Sequence, residues 1–454
     1  MTSILRFRSC LPVMLASLVL ASGGCRPRAP LTWEERTTAK LDEPWYRQHF
    51  LEAYAACGTK DPRWDSSMRQ LLEEAALWSA RVPQKPSDQM IKRLNEADIQ
   101  GCSDPLFYYY CARFNQYRRS AARRQNYADA YLSLRSSLYG EREKFYSAWR
   151  AASELESSNP ILSNRYYAEA IDHLKAALAD PTILPREAAR ISWPIFNSIR
   201  HLKDLSLLRR AAAEILPVLI EQWPRDPDVL RSTGIAHIEL AWAARGGDWA
   251  GTVTDDGWRG FAEHLDAAER AFEDSWALAP HPETAKEMLT VELGQGKGRD
   301  RFELWFQRAM QLDPANDEAC GRKVRYLMPR WYGSERELFE FGWDCATNLA
   351  WKGRVPLAGV SAMENLAVEY PEDKRGAFWQ RPEVWKLVRA AYERYFKLNP
   401  DDVNLRQAYV RDAYRSRAWE DLNRQLKLME CANLEYFGGE AAFNRMLEEA
   451  AEHQ

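Results

Sequence analysis

The sequence predicts an all-α fold built from stacked antiparallel helix pairs, and three observations carry that reading. Alternating β-branched runs are absent, while Ala, Leu, Glu and Arg recur at helical spacing. Asp-Pro steps recur where helices should begin, at Asp61-Pro62, Asp104-Pro105 and Asp226-Pro227. Asp is a good N-cap, and Pro at the first helical position lacks only an N–H that would have no partner there. The third observation is an internal period. "AAERAFEDSWALAP" (267–280) and "FQRAMQLDPAND" (306–317) place an aromatic, a small residue three on and a Pro five further, and their prolines, Pro280 and Pro314, lie 34 residues apart. About eighteen helices are expected along the chain.

The 454 residues are 46% hydrophobic and 28% charged, which places the chain among globular proteins. Its 62 basic and 65 acidic residues give a net charge of −3, so nothing marks it as a nucleic-acid binder. From the N-terminus, "MTSILRFRSC" carries Arg6 and Arg8, "LPVMLASLVLA" is an apolar run of signal-peptide length, and "SGGC" ends at Cys25. The small residues before Cys25 resemble a bacterial lipobox, with Ser22 where Leu is usual. The resemblance implies residues 1–24 as a lipoprotein signal peptide, cleavage before Cys25, and lipidation of Cys25 as a membrane anchor facing the periplasm or cell exterior. A plain secretory signal or an N-terminal membrane anchor is the alternative.

Residues 25–43 read as a tether, 44–157 as an N-terminal helical region of irregular spacing, and 158–454 as the repeat domain. The motif residues Ala268, Phe272, Ser275 and Pro280, then Leu289, Phe306, Ala309 and Pro314, with Tyr392 and Pro400 in a looser third copy, resemble the tetratricopeptide repeat. Phe302 departs from it, standing where the second helix usually has Ala. The resemblance implies a right-handed α-solenoid in which small residues let helices approach and aromatics fill the grooves between pairs.

Two segments interrupt the array. "RGGDWAGTVTDDGWRGF" (245–261) falls between the helices of one repeat, its irregular core at 246–254; "RYLMPRWYGSERELFEF" (325–341) interrupts a later one, with Ser334 and Glu337 as a capping box. The turn between them in sequence is "GQGKGRD" (294–300), which lacks phosphate-loop spacing. Stacked pairs would bring 241–262 and 328–333 out along a shared rim. Trp249, Thr252 to Thr254, Gly257, Trp258, Pro329 to Trp331, Gly333 and Ser334 also resemble the shared segments of a bacterial domain family with no assigned function, so no activity transfers from it.

The candidate binding residues are Trp249, Asp255, Asp256, Trp258, Arg330, Trp331 and Tyr332. The aromatics fit a platform for a sugar ring or peptide, or a set of pins that hold the loops down. Asp255 and Asp256 fit a carboxylate pair, or first-turn acids behind a Thr254 cap; Arg330 fits a bridge to either. "RFNQYRRSAARR" (113–124) holds five Arg and fits a contact with anionic lipid or cell-wall polymer, or a solvated helix face. Seven scattered histidines, His237 among them, give no metal spacing, and no cofactor is implied. Cys57, Cys102, Cys111, Cys320, Cys345 and Cys431 are expected as six buried free thiols, with Cys57–Cys102 the favoured pair if any of them form a disulfide. No catalytic motif is present. The expected function is an extracytoplasmic, lipid-anchored scaffold of the cell envelope for a protein or peptide partner; the alternative is a glycan-binding lipoprotein.

Overall fold

A computed structural model of the chain describes residues 33–81, 86–114, 126–199, 202, 205–247, 250–400, 402, 405–429 and 432–453. Residues 1–24, Cys25, Trp249, Cys431 and most of the Arg-rich run 113–124 lie outside them. Among the described residues there are twenty-one α-helices and no strand. The fold is all-α, and its residues fall into two compact units, 31–279 and 280–454.

The first unit holds α1 (Trp33–Cys57), α2 (Asp65–Arg81), α3 (Asp88–Ile99), α4 (Pro105–Arg113), α5 (Tyr127–Arg135), α6 (Glu141–Leu155), α7 (Pro160–Leu178), α8 (Pro185–Ile199), α9 (Ser206–Gln222), α10 (Pro227–Arg245) and α11 (Asp255–Leu278). Each packs on its neighbour in sequence, and from α6 onward alternate helices also touch: α6 on α8, α7 on α9, α8 on α10. That double contact is what stacked helix pairs require. The expected division at 157/158 falls between α6 and α7, which share one core through Phe145, Ala148, Tyr167 and Ile171. Part of the expected tether is helical, because 33–43 has no Gly or Pro to stop α1 and contains good helix formers.

The Asp-Pro starts hold in two of three places. Asp104 accepts from Leu106 N at 2.9 Å and Asp226 from Asp228 N and Val229 N at 3.0 Å. Asp61 instead accepts from Arg63 N in a turn, and α2 begins four residues later. The repeat positions are interior. Phe272, Ala268 and Ser275 are fully buried, and Ser275 Oγ donates to Pro227 O at 2.8 Å, tying the end of α11 to the start of α10.

The second unit holds α12 (Pro282–Gln295), α13 (Arg299–Leu312), α14 (Asp317–Tyr326), α15 (Glu335–Thr347), α16 (Leu357–Glu369), α17 (Glu372–Trp379), α18 (Pro382–Leu398), α19 (Arg406–Arg415), α20 (Trp419–Leu428) and α21 (Glu440–Glu452). Here α12, α14, α16 and α18 contact one another in succession. Leu289, Ala309 and Tyr392 are buried as the repeat pattern requires. Phe302, the departure from that pattern, stacks on Tyr326 with centroids 3.8 Å apart, so α13 and α14 meet through a ring where a methyl would be usual.

Close approach of α10 and α11 depends on Gly234, since a Cβ there would stand 2.6 Å from the Phe272 ring. Phe272 is fully buried and has no room to withdraw. Gly234→Ala is expected to lower unfolding stability by about 1–3 kcal/mol through overpacking. Denaturant titration reads the loss, and an unchanged midpoint would contradict this account of the contact.

Candidate functional site

The unusual segment of the first unit is framed by helices longer than repeat helices usually are. Helix α10 runs to Arg245 and α11 starts at Asp255, which leaves 246–254 irregular, as expected. Gly246 leaves α10 at a φ of 78°, a conformation that favours glycine. Thr254 caps α11, its hydroxyl accepting from Gly257 N at 3.1 Å. Asp255 and Asp256 are therefore exposed first-turn acids, where the helix dipole favours them, and Asp256 pairs with Arg259 at 3.1 Å.

Two glycines explain why this stretch is Gly-rich. A Cβ on Gly257 would lie 3.0 Å from Ala244 O, and one on Gly260 3.0 Å from Ala244 Cβ. The first turns of α11 thus lie directly on the last turn of α10. Trp258 is 38% exposed, packs edge-on to Phe261, and lies beneath the Arg245 guanidinium at 5.4 Å. Trp258 and Asp255, three residues apart on α11, share one exposed helix face.

The segment of the second unit is a tight turn folded back on its own helices. Ser334 caps α15, accepting from Glu337 N at 3.3 Å, and its hydroxyl, not its backbone N–H, donates to the Glu337 carboxylate at 2.7 Å. Gly333 is obligatory, since a Cβ there would sit 2.2 Å from Leu327 O. Tyr332 stacks near Tyr326 at 4.8 Å and donates from its hydroxyl to Leu293 O at 3.1 Å. It therefore reaches the 296–298 turn, where Gly296 leaves space for its hydroxyl. Arg330 pairs with Glu369 at 2.7 Å within the second unit. Trp331 is half-buried, with Arg325 over its ring at 5.4 Å. Tyr332 is anchored by its hydroxyl yet remains 43% exposed, and Trp331 beside it is half-buried.

The five described cysteines follow the free-thiol expectation, and the alternative Cys57–Cys102 pair is not formed. Cys57 and Cys102 are both free thiols, as are Cys111, Cys320 and Cys345. Burial pushes the Cys102 thiol up to about 12, and burial followed by the neighbouring Cys320 pushes the Cys345 thiol well up, so both stay protonated near neutrality. Among the described residues no group of three or more His, Cys, Asp or Glu could hold a metal ion.

Two histidines that sequence reading left scattered come together across the α10–α11 contact. His237 Nδ1 lies 3.2 Å from His264 Nδ1. Their separation of 27 residues hides the pairing; only the register of the two helices, set at Gly234 and Phe272, would disclose it. Comparison with protein families and with curated proteins finds no match for the chain, so the resemblances drawn from its sequence rest on the residues quoted for them.

Burial, then the facing His264 and Arg270, lowers the His237 pKa to about 4, against 6.5 for a free imidazole. The unfolded chain thus binds a proton here before the folded chain does. Stability from this group is complete above about pH 6.5 and falls as the pH drops towards 4, by on the order of 2–3 kcal/mol. His237→Gln is expected to flatten that part of the stability–pH curve. An unaltered slope between pH 4 and 6.5 would contradict the assignment.

Proposed function

We propose that the chain is a lipid-anchored, tetratricopeptide-like scaffold of the bacterial cell envelope that binds a protein or peptide partner without catalysis. The observation that carries this reading is the succession α12–α14–α16–α18. When alternate helices touch in series, their shared side forms a continuous surface long enough for an extended chain or a helix. Charged side chains bridge it: Arg322 to Glu287 at 2.6 Å between α14 and α12, and Arg411 to Glu364 at 2.7 Å between α19 and α16. Both pairs are partly buried, with Glu287 8% exposed and Arg411 also holding the buried Asp412, so they tie neighbouring helices together as well as lending charge to that side. The tetratricopeptide assignment rests on interior residues at the motif positions. The anchor rests on Cys25 and the apolar run before it; among the described residues no helix is long and apolar enough to cross a membrane.

One observation favours glycan binding as a second reading. Trp258 offers an exposed indole one turn along α11 from the exposed carboxylate of Asp255, the pairing of flat ring and hydrogen-bond acceptor that sugars use. The guanidinium of Arg245 over the ring leaves less of it open than a dedicated platform would.

Two experiments test these readings. Cys25→Ser is expected to abolish acylation and release the chain from membranes; a wild-type mature chain that is unacylated and soluble would refute the anchor. For binding, the anchor-free chain is used to capture partners from envelope extract and to bind immobilised glycans. Charge reversal of both Arg322 and Arg411 is expected to lower the melting temperature, because Glu287 and Asp412 are buried, and also to lower capture by the still-folded variant more than tenfold, while Trp258→Ala leaves capture unaltered. The reverse pattern, with glycan retention lost in Trp258→Ala, would favour the second reading, and an effect confined to melting would show that these residues only pack.

A further inference from the structure

Helices α2, α4, α5 and α6 bring two guanidiniums into one aromatic cluster of the first unit. Arg113, in the last turn of α4, lies over the Trp78 ring at 4.4 Å. Arg150, in the middle of α6, lies over the Trp149 ring at 4.2 Å. Tyr109 and Tyr127 face each other at 6.3 Å, and the Tyr127 hydroxyl lies against Arg113. Burial keeps that phenol protonated at neutral pH, so it remains able to donate.

The charges in this cluster are not balanced. Arg142, two turns earlier on α6, has Glu187 at 2.7 Å and Glu143 at 3.1 Å. Among the described residues, Arg113 and Arg150 have no carboxylate in ion-pair range, and Arg150 Nε is a buried donor without an acceptor. Glu154, one turn beyond Arg150, accepts instead from Tyr127 N at 2.8 Å. The two guanidiniums also oppose each other: burial and then the charge of Arg113 lower the proton affinity of Arg150. Two adjacent, largely buried cations without a counter-charge are costly to hold. The end of α4 offers Arg113 some compensation from its helix dipole, but Arg150 sits mid-helix and has none. Donors outnumber acceptors here, which selects for an oxyanion, and a planar fork suits a carboxylate.

We propose that Arg113 and Arg150 form the anion-binding end of a site for a small organic carboxylate, with the Tyr127 hydroxyl as a further donor and the rings of Trp78, Tyr109 and Trp149 bounding its apolar body. This site is independent of the partner surface of the second unit and stands whether or not that surface binds.

Calorimetric titration of the full chain with phenylacetate, with sodium phosphate and with sodium chloride at matched ionic strength tests it. Phenylacetate is expected to bind saturably and raise the melting temperature, and phosphate to bind more weakly. Arg113→Gln and Arg150→Gln should each weaken phenylacetate by at least about tenfold, the loss of one charge-assisted contact. Arg259→Gln, at an exposed position of α11, should leave it unchanged. Tyr127→Phe removes only a hydroxyl and should weaken binding severalfold, which keeps the test open if an arginine variant fails to fold. No saturable phenylacetate binding, phosphate binding as tightly as phenylacetate, or equal phenylacetate affinity in the folded arginine or tyrosine variants would overturn the proposal.

Discussion

Each helix of this chain carries an apolar stripe that it can bury only by lying on another helix, and the closeness of that contact is set by small residues. Gly234 admits the Phe272 ring, Gly257 and Gly260 admit the last turn of α10, and Gly342 and Gly359 bring α15 and α16 together with a would-be Cβ 2.9 Å from backbone oxygen. A fully buried Phe or Leu contributes about 1.5–3 kcal/mol only while its neighbour stays in place. Helix register, and with it every side-chain meeting across helices, follows from those approaches. The His237–His264 pair is one product of that register.

Much of the architecture is legible in the sequence because repeat positions state their burial directly. Phe272, Ala268, Leu289, Phe306 and Ala309 lie inside. The N-terminal third reads less well, since its helices α1 to α5 are bound by large aromatics such as Tyr54, Tyr131 and Tyr139 instead of a repeated small-residue motif. Pro62 misleads for a local reason: Asp61 satisfies Arg63 in a turn before α2 begins.

The candidate site is partly legible. Thr254, Ser334 and the acids behind Thr254 take the capping roles their spacing predicts. The Gly/Trp signature of 245–261 has two origins that sequence cannot separate: Gly257 and Gly260 serve helix contact, while Trp258 retains exposed surface. Arg330 shows the limit of pairing charges by eye, because Glu369, 39 residues on, claims it. The unbalanced pair Arg113 and Arg150 was hidden for the same reason. Local composition shows an Arg-rich run, but only tertiary packing reveals which guanidinium lacks a carboxylate.

If the helices are stable only as pairs, α10 and α11 should open as one cooperative unit. Native-state hydrogen exchange on Phe272→Ala, a substitution expected to cost about 3–5 kcal/mol, measures this most directly. The account predicts that amide protection in 227–245 and 255–278 falls together and by similar factors. Retention of protection in α10 while α11 alone exchanges faster would contradict it.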